Sequence, residues 1–336
     1  MSLPHLSIAY FTNRPRPMTK WFFDSLHRET GGDYRGIKVL IVDHWANERS
    51  MGWRFGEEWD MLGTTEDERI KAGGGVFDHV APKPTVWAGP HRLTKADYFA
   101  AANARNTALC LAPDGYLVGV DDLSILMPGW LAAVREAQAG GYVVCGAYRK
   151  MNKMQVENGE LKFCEGFPAG DDHRIGVMAK LGKDLTKPIE ISWGEWFFGC
   201  SCGAPVEALL DIGGWPEICD SCAAEDNSAG LMLKRRGNRF FYDHRMMSYE
   251  SEELHAQLPV FIREDPCKGD PTANPRDDMS HALLRALSGD FHPGYFGEGG
   301  IRALRAKVLA GEPFPIMSIP EHRFFDGVPL RDLPAR

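Results

Sequence analysis

The residues best suited to chemistry are two adjacent carboxylates, Asp121 and Asp122, which directly follow the apolar run Tyr116–Val120. We predict that this run is a buried strand, which places both carboxylates at the edge of a sheet where α/β proteins bind ligands. Such a pair supplies the oxygen ligands that Mn²⁺ or Mg²⁺ prefers, and the cation can hold a diphosphate. The alternative is a strand-end turn in which the Asp side chains cap the next segment.

A second acidic pair, Glu225 and Asp226, lies much farther along the chain, at the start of a helix predicted over Ala223–Arg236. Carboxylates in a first helical turn are stabilised by the helix dipole, which accounts for the pair without any function. A carboxylate can also serve as a general base that takes a proton from an incoming hydroxyl. The pair by itself does not separate these two interpretations.

Two further residues stand at predicted element ends or beside them. Asp43 follows the apolar run Ile37–Val42, where it could accept a hydrogen bond from the imide N–H of a nucleobase or cap the strand end. Arg105 lies in a helix predicted just ahead of the acidic strand. A guanidinium there could pair with a phosphate or with the nearby carboxylates.

Four of the eight cysteines form two close pairs, Cys200-x-Cys202 and Cys219-x-x-Cys222. Four thiolates from two short loops can close a tetrahedral zinc site. Buried free cysteine is the more common state in cytosolic proteins. The sequence starts without a recognisable signal peptide and contains no long apolar run, so we expect a cytoplasmic protein with no membrane segment.

The elements that position these residues alternate between strand and helix in the first half of the chain. The predicted strands are Leu6–Phe11, Ile37–Val42, Val76–Val80, Tyr116–Val120 and Tyr142–Tyr148. The predicted helices are Met18–Arg28, Glu66–Ala72, Lys95–Leu111 and Pro128–Ala139. This alternation predicts an α/β protein with a doubly wound mixed sheet flanked by helices.

The second half of the chain is less regular. Its first part, Met151–Lys187, is predicted to be rich in loops, with a hairpin at Asn158-Gly159. Trp193–Gly203 has a strand-like pattern, Val206–Ile212 is predicted to be a short helix, and another strand begins at Phe240. Beyond residue 253, Pro- and Gly-rich loops with helices predicted over Met279–Leu287 and Gly300–Leu309 form a C-terminal extension. We therefore divide the chain into a domain over 1–252 and an extension over 253–336 that packs on it.

Taken in order, four segments resemble the family 2 glycosyltransferases of the GT-A fold, over Leu6 to Ser251. They are LSIAYFTNRP, IKVLIVDH, AAANARNTALCLAPDGYLVGVDDLSILMPGWL and CGAPVEALLDIGGWPE with AAEDNSAGLMLKRRGNRFFY. The third is the most specific, because an Arg-Asn helix, a Gly turn, a strand, an acidic pair and a Pro-initiated helix follow one another in register.

The resemblance implies an inverting transfer of a sugar from a nucleotide donor, UDP or similar. It implies that Thr12 lies near the nucleotide, that Asp43 contacts uracil and that Asp121 contacts ribose or sugar, with Arg105 in the donor site. Asp122 would bind Mn²⁺ or Mg²⁺. Asp226 would be the base, and Glu225 resembles the residue that contacts the acceptor. Leu123 departs from the family where many members have a third acidic residue, and the further metal ligand is open among His244, Glu250 and His255.

The acceptor is also open. It could be a hydroxyl of a polysaccharide, a lipid or a small molecule, or a 5-hydroxymethylpyrimidine in DNA, as for some phage glycosyltransferases. The Lys234-Arg235-Arg236 run and the aromatic segment Trp193–Phe198 could serve DNA, whereas the formal net charge of −8 argues against it. Two other classes are a non-catalytic module that binds nucleotide sugars and a zinc-stabilised interaction protein.

Overall fold

The structure is a computed structural model that describes residues 5–14, 16–50, 65–85, 100–221, 224–257 and 297–314. Its strands are β1 His5–Thr12, β2 Ile37–Asp43, β3 Val76–Val80, β4 Gly115–Asp121, β5 Ser124–Leu126, β6 Val143–Glu157, β7 Glu160–Asp171, β8 Ile189–Ile191, β9 Ser201–Pro205 and β10 Phe240–Ser251. Its helices are α1 Thr19–Thr30, α2 Ala46–Ser50, α3 Thr65–Ala72, α4 Ala101–Leu111, α5 Trp130–Gly140, α6 His173–Lys180, α7 Val206–Asp211, α8 Glu225–Arg235, α9 Glu252–Gln257 and α10 Gly297–Leu309. Two short 3₁₀ helices cover Gly194–Trp196 and Glu217–Ser221.

One mixed sheet organises the described part of the chain. Its strand order is β3-β2-β1-β4-β9-β6-β10-β5, with β7 paired to β6 and β8 paired to β10. The first four strands are mutually parallel, β9 runs antiparallel to both β4 and β6, and β10 is parallel to β6. The predicted α/β architecture, a mixed sheet flanked by helices, is confirmed.

Both faces of the sheet are covered, as parallel strands require. Alternate residues of β1 and β2 enter two different hydrophobic clusters, because successive side chains of a strand point to opposite faces. One cluster packs Phe22, Leu26 and Trp130 of α1 and α5 against the sheet. The other packs α4, α7, α8 and α10 through apolar residues such as Leu109 and Ile301.

The first half follows the sequence prediction closely. β3 has the predicted bounds, and β1, β2 and β4 extend the predicted strands by one residue at one end or at both. α1 ends where Gly31 takes a positive φ of 60° and its N–H donates to the Arg28 carbonyl, a common way to end a helix. The predicted helix Lys95–Leu111 is described only from Ala100 onward, as α4.

Two predictions for the second half are wrong. Met151–Lys187 is not rich in loops, because β6 and β7 form a long hairpin that turns at Asn158-Gly159 as predicted, and α6 follows it. Trp193–Gly203 is not a continuous strand, because a 3₁₀ helix interrupts it and β9 begins only at Ser201. The aromatic residues of this segment pack as a cluster, with Trp193 and Trp196 ring centroids 4.5 Å apart.

The predicted C-terminal helix is confirmed as α10, which packs on α4 and α7. Ile301 is buried in the core, and Arg302 forms ion pairs with Glu207 and Asp211. The helix predicted over Met279–Leu287 lies outside the described residues. Among the described helices, none is both long enough and apolar enough to cross a membrane.

Candidate active site

The predicted donor-site residues meet at one edge of the sheet. In the parallel register, Thr12 at the end of β1 stands opposite Asp43 at the end of β2. Phe11 stands opposite Asp121 at the end of β4. The carboxyl ends of three neighbouring strands therefore carry Thr12, Asp43 and Asp121 side by side, where ligands bind in sheets of this type.

Asp122 accepts hydrogen bonds on both carboxylate oxygens. The Thr12 hydroxyl donates to Oδ2 at 2.8 Å, and Arg14 Nε donates to Oδ1 at 3.0 Å. Arg14 is 4% exposed and Asp122 is 14% exposed, so this is a largely buried ion pair. Burial raises the pKa of Asp122, and the Arg14 charge opposes that shift. The neighbour Leu123 is buried and has a φ of 60°, uncommon for a residue with a side chain, as the chain turns from β4 into β5.

Arg105 joins the two acidic pairs. Its Nη1 donates to Glu225 Oε1 at 2.6 Å and its Nη2 donates to Asp121 Oδ1 at 3.2 Å. The guanidinium also lies over the Phe11 ring, 5.4 Å from the centroid. Arg105 is 5% and Glu225 7% exposed, whereas Asp121 is 38% exposed, so a buried arginine ties α4 to α8 and to the more open end of β4. Burial raises the pKa of Asp121, while Arg105 lowers it and the Asp122 and Asp226 charges raise it further.

Asp226 is held by backbone groups. Gly199 N–H donates to Asp226 Oδ2 at 2.9 Å, and Asn227 N–H donates to Oδ1 at 2.6 Å. The charge of Asp226 acts on Asp121, so the two acidic pairs lie within electrostatic reach of each other. The lack of a side chain at Gly199 lets the Arg105 guanidinium lie against it, because a Cβ at that position would overlap the guanidinium.

Asp43 is completely buried at the end of β2. Trp45 N–H donates to its Oδ1 at 2.9 Å, while Arg49 Nε lies 2.7 Å and His79 Nε2 lies 2.9 Å from its Oδ2. Arg49 also donates to the Arg14 carbonyl at 2.9 Å. The Asp43 and Asp122 ion pairs are thus joined through the Arg14 backbone.

The candidates for a further metal ligand are placed differently. Glu250 lies on β10, opposite Ser124 of β5. Its pKa is raised to about 8 by burial and by the Asp121 and Asp122 charges. His244 is half-buried near Asp172 and Asp243. His255 lies in α9, and its side chain is outside the described residues. As they are placed, no three described His, Cys, Asp or Glu side chains form a group that could hold a metal ion.

Three cysteines of the predicted zinc constellation, Cys200, Cys202 and Cys219, lie among the described residues and are in the thiol form. Cys202 and Cys219 are buried in the hydrophobic core, and Cys219 Sγ lies 3.8 Å from the Ser228 hydroxyl. Burial raises the pKa of the Cys200 and Cys202 thiols well above the ordinary value. Cys222 lies outside the described residues.

Sequence reasoning found Arg105 but missed the residues that partner Asp43 and Asp122. Arg14, Arg49 and His79 were not singled out, although Arg14 stands in the LSIAYFTNRP segment. It also missed Asp220, which accepts from the backbone N–H groups of Ala102 and Asn103 at 2.7 and 2.9 Å. Asp220 caps α4 from a distant segment and so fixes the helix that carries Arg105. No local pattern announces such a long-range cap.

Comparisons with known proteins bear on this arrangement. The sequence matches no protein-family profile and no curated protein. Among solved structures, the crystal structure of GalNAc-T7 with UDP, GalNAc and Mn²⁺ is similar at a TM-score of 0.52 and 11% identity, covering 93% of this chain and 59% of that chain. The crystal structure of residues 1–349 of S. aureus TarS in complex with UDP-GlcNAc is similar at a TM-score of 0.51 and 12% identity, covering 90% and 73%.

This chain therefore spans somewhat more than half the length of the GalNAc-T7 chain. At such identities the likeness concerns the fold and leaves activity to be argued from the site. The described part of the chain has the GT-A fold that these two structures share.

Proposed function

We propose that this protein is a glycosyltransferase that moves a sugar from a nucleotide donor, with UDP as the nucleotide, to an acceptor hydroxyl with inversion. The observation that carries the proposal is Arg105, whose guanidinium bonds Asp121 and Glu225 and so brings both acidic pairs to one site. The fold supports this proposal, because the similar structures of GalNAc-T7 and TarS contain UDP or a UDP-sugar.

The donor site of this proposal uses the strand ends. Thr12 and Asp121 would lie against the nucleotide and its sugar, and Asp43 would accept the uracil imide N–H. Asp43 is buried and already accepts from Trp45, Arg49 and His79. A carboxylate offers about four lone-pair sites, so one more donor can be accommodated. The Arg49 contact would fix the orientation of that acceptor.

Mn²⁺ or Mg²⁺ is part of the proposal, and the chemistry of the donor set fits it. The candidate ligands Asp122 and Glu250 are both oxygen donors, as a hard cation prefers. Glu250 Oε1 is buried and has no hydrogen-bond partner among the described residues. Asp122 would hold the cation, with Glu250 as the further ligand. Bound there, the cation would act as a Lewis acid toward the leaving diphosphate.

Asp226 is the proposed general base. It would accept the proton of the acceptor hydroxyl as that oxygen bonds to the anomeric carbon and the bond from carbon to diphosphate breaks. Attack from the face opposite the diphosphate inverts the anomeric configuration. The two backbone N–H groups from Gly199 and Asn227 hold the carboxylate in place and leave lone pairs for the incoming proton. Glu225, fixed by Arg105, would contact the acceptor.

A ligand-binding screen tests this function. UDP-sugars, GDP-sugars and CDP-sugars would be added with Mn²⁺ or with EDTA, and thermal unfolding would be followed. A donor at a hundredfold excess over its dissociation constant stabilises by about 2.7 kcal/mol. We expect UDP-sugars with Mn²⁺ to stabilise the wild-type protein and the control Asp184→Ala, whose carboxylate is exposed in a loop, and not Asp122→Ala. Stabilisation by no nucleotide sugar, or equal stabilisation in EDTA, would contradict the proposal.

A further inference from the structure

We propose that Arg14 is an internal counter-ion of Asp122 that yields its place to the divalent cation and then pairs with the diphosphate of the donor. This inference rests on the proposed function. It adds a role for a residue that binds neither metal nor sugar: the Arg14 guanidinium keeps Asp122 neutralised while the site is empty and makes metal binding depend on the donor.

Asp122 already has a partner on each of its two carboxylate oxygens. Both of its carboxylate oxygens accept hydrogen bonds, Oδ2 from the Thr12 hydroxyl at 2.8 Å and Oδ1 from Arg14 Nε at 3.0 Å. A cation that binds Asp122 must share or replace these donors. A metal ion and a guanidinium repel each other at such range, and in a largely buried place this repulsion is poorly screened. The Arg14 ion pair and the metal are therefore competing partners of one carboxylate.

The backbone around Arg14 makes an exchange feasible. Arg14 N–H donates to the Thr12 hydroxyl oxygen at 3.1 Å, and its carbonyl accepts from Arg49 Nη2 at 2.9 Å. Both bonds fix the main chain and do not involve the guanidinium. These bonds hold the strand end in place whichever partner the Arg14 side chain has.

Diphosphate is the partner whose chemistry suits the displaced group. A guanidinium forms charge-assisted, often bidentate bonds with phosphate oxygens, which makes it well suited to a leaving diphosphate. Two other arginines described at the site have separate carboxylates, Arg105 with Asp121 and Glu225, and Arg49 with Asp43. Arg14 is the arginine paired with the proposed metal ligand, and the cation and the donor would therefore bind cooperatively.

The test compares Arg14→Gln with the control Arg16→Gln, which removes the same charge from an exposed position two residues away. Mn²⁺ affinity would be measured without nucleotide by electron paramagnetic resonance, and UDP affinity by calorimetry at saturating Mn²⁺. We expect Arg14→Gln to bind Mn²⁺ alone about tenfold more tightly than the wild-type protein and to bind UDP with Mn²⁺ about tenfold or more weakly, since one ionic hydrogen bond has about that value. Arg16→Gln should match the wild type in both.

Two outcomes separate the role of Arg14 from the proposed glycosyltransferase function. Unchanged or weaker Mn²⁺ binding by Arg14→Gln overturns the counter-ion role while the glycosyltransferase proposal stands. A wild-type protein that binds neither Mn²⁺ nor UDP overturns both. Should Arg14→Gln not fold, the Nε–Hε resonance of Arg14 in the wild-type protein, identified by its loss in Arg14→Lys, gives the answer. Mg²⁺ must shift this resonance, and UDP with Mg²⁺ must shift it to a second position; an unmoved resonance refutes the exchange.

Discussion

Each of the carboxylates Asp43, Asp121 and Asp122 at the strand ends pairs with an arginine. Asp43 pairs with Arg49, Asp122 with Arg14, and Asp121 shares Arg105 with Glu225. Burying a charge is costly unless it is paired and hydrogen-bonded, so these pairs make a cluster of acidic groups tolerable in the folded protein. Removing one partner would leave the other charge uncompensated, which makes charge-neutral replacements the informative ones.

The proposed base gives the first prediction at this scale. Asp226→Asn keeps the size of the side chain and can still accept one of the two backbone N–H bonds that the carboxylate accepts, but it cannot take a proton. Turnover should fall about 10²–10⁴-fold, the usual contribution of general base catalysis. Donor affinity should barely change, and steady-state kinetics with calorimetry measures both. Asp184→Asn, at an exposed loop carboxylate, is the matched control. Near-normal turnover, or a loss of donor binding in proportion, would direct attention to Glu225 instead.

Glu250 gives a prediction on pH for the metal-free protein. Its folded-state pKa is raised from 4.5 to about 8, chiefly by burial and next by Asp121. The folded state therefore holds the Glu250 proton more tightly than the unfolded state. The contribution of this proton to the free energy of unfolding is complete below pH 4.5 and is lost as pH rises through 8.

We expect Glu250→Gln, which stays neutral, to become more stable relative to the wild-type protein by about 3–4 kcal/mol between pH 5 and pH 8, at up to about 1.4 kcal/mol per pH unit. Urea unfolding in EDTA measures this difference. A stability difference independent of pH would show that Glu250 ionises freely, and the same experiment with Glu253→Gln controls for the loss of one negative charge nearby.

Local sequence allowed the acidic residues of the site and the paired Arg105 to be identified, but not the partners of Asp43 and Asp122. Asp121-Asp122 and Glu225-Asp226 follow recognisable element boundaries, so their place at a strand end and a helix start could be predicted. Arg49 pairs with Asp43 across only six residues of chain, whereas Arg14 pairs with Asp122, which the parallel register of β1 and β4 brings near. That register is a property of the assembled sheet and leaves no local pattern.

At the scale of elements, secondary structure could be predicted where a single hydrophobic pattern or a well-defined turn signal covers the segment. The apolar runs of β2 and β4 are buried on both faces, and the Asn158-Gly159 turn has the positive φ values of 50° and 74° that such a hairpin favours. It failed for Trp193–Gly203, where aromatic residues pack as a cluster around a 3₁₀ helix. Aromatic enrichment indicates burial as much as strand, so the pattern could not separate the two.

The contact between this 3₁₀ helix and α8 gives an element-scale prediction. The Gly194 and Gly230 backbones touch, and a Cβ at Gly230 would overlap the Gly194 carbonyl oxygen. Gly230→Ala should therefore destabilise the protein by about 1–3 kcal/mol, as overpacking does. It should also lower turnover, because the segment next to Gly194 supplies the Gly199 N–H that holds Asp226.

Gly176→Ala is the matched control within α6. A Cβ there meets no atom within 4 Å, so the change should stabilise the helix by up to about 1 kcal/mol through propensity alone. Chemical unfolding of the two variants checks both signs. Equal effects would mean that the packing of α8 on the 3₁₀ helix does not constrain the site.

At the scale of the whole molecule, charge bears on the acceptor. The net charge of −8 disfavours a protein that binds DNA through its overall field. The basic run Lys234-Arg235-Arg236 spans the end of α8, where cations complement the helix dipole. Arg235 and Arg236 also take part in other contacts. Neither feature favours a DNA acceptor over a soluble hydroxyl compound.

The last prediction concerns the proposed unity of the C-terminal extension with the rest of the molecule. Ile301 of α10 is 1% exposed and belongs to the core cluster that also contains Leu109 of α4. Arg305 donates to the Ala112 carbonyl at 2.8 Å, just beyond the end of α4. Since α4 carries Arg105 and Asn106, α10 supports the helix that joins the acidic pairs from behind.

Ile301→Ala should lower the free energy of unfolding by about 2–5 kcal/mol, the range for truncating a buried aliphatic side chain. Leu309→Ala near the end of the same helix, at a side chain that is 50% exposed, should change it by less than about 0.5 kcal/mol. If α10 and the sheet form one cooperative unit, Ile301→Ala will shift a single unfolding transition seen by both calorimetry and tryptophan fluorescence, and turnover measured well below the melting temperature will fall with it. Two separate transitions, with turnover untouched, would instead make α10 an independent appendage.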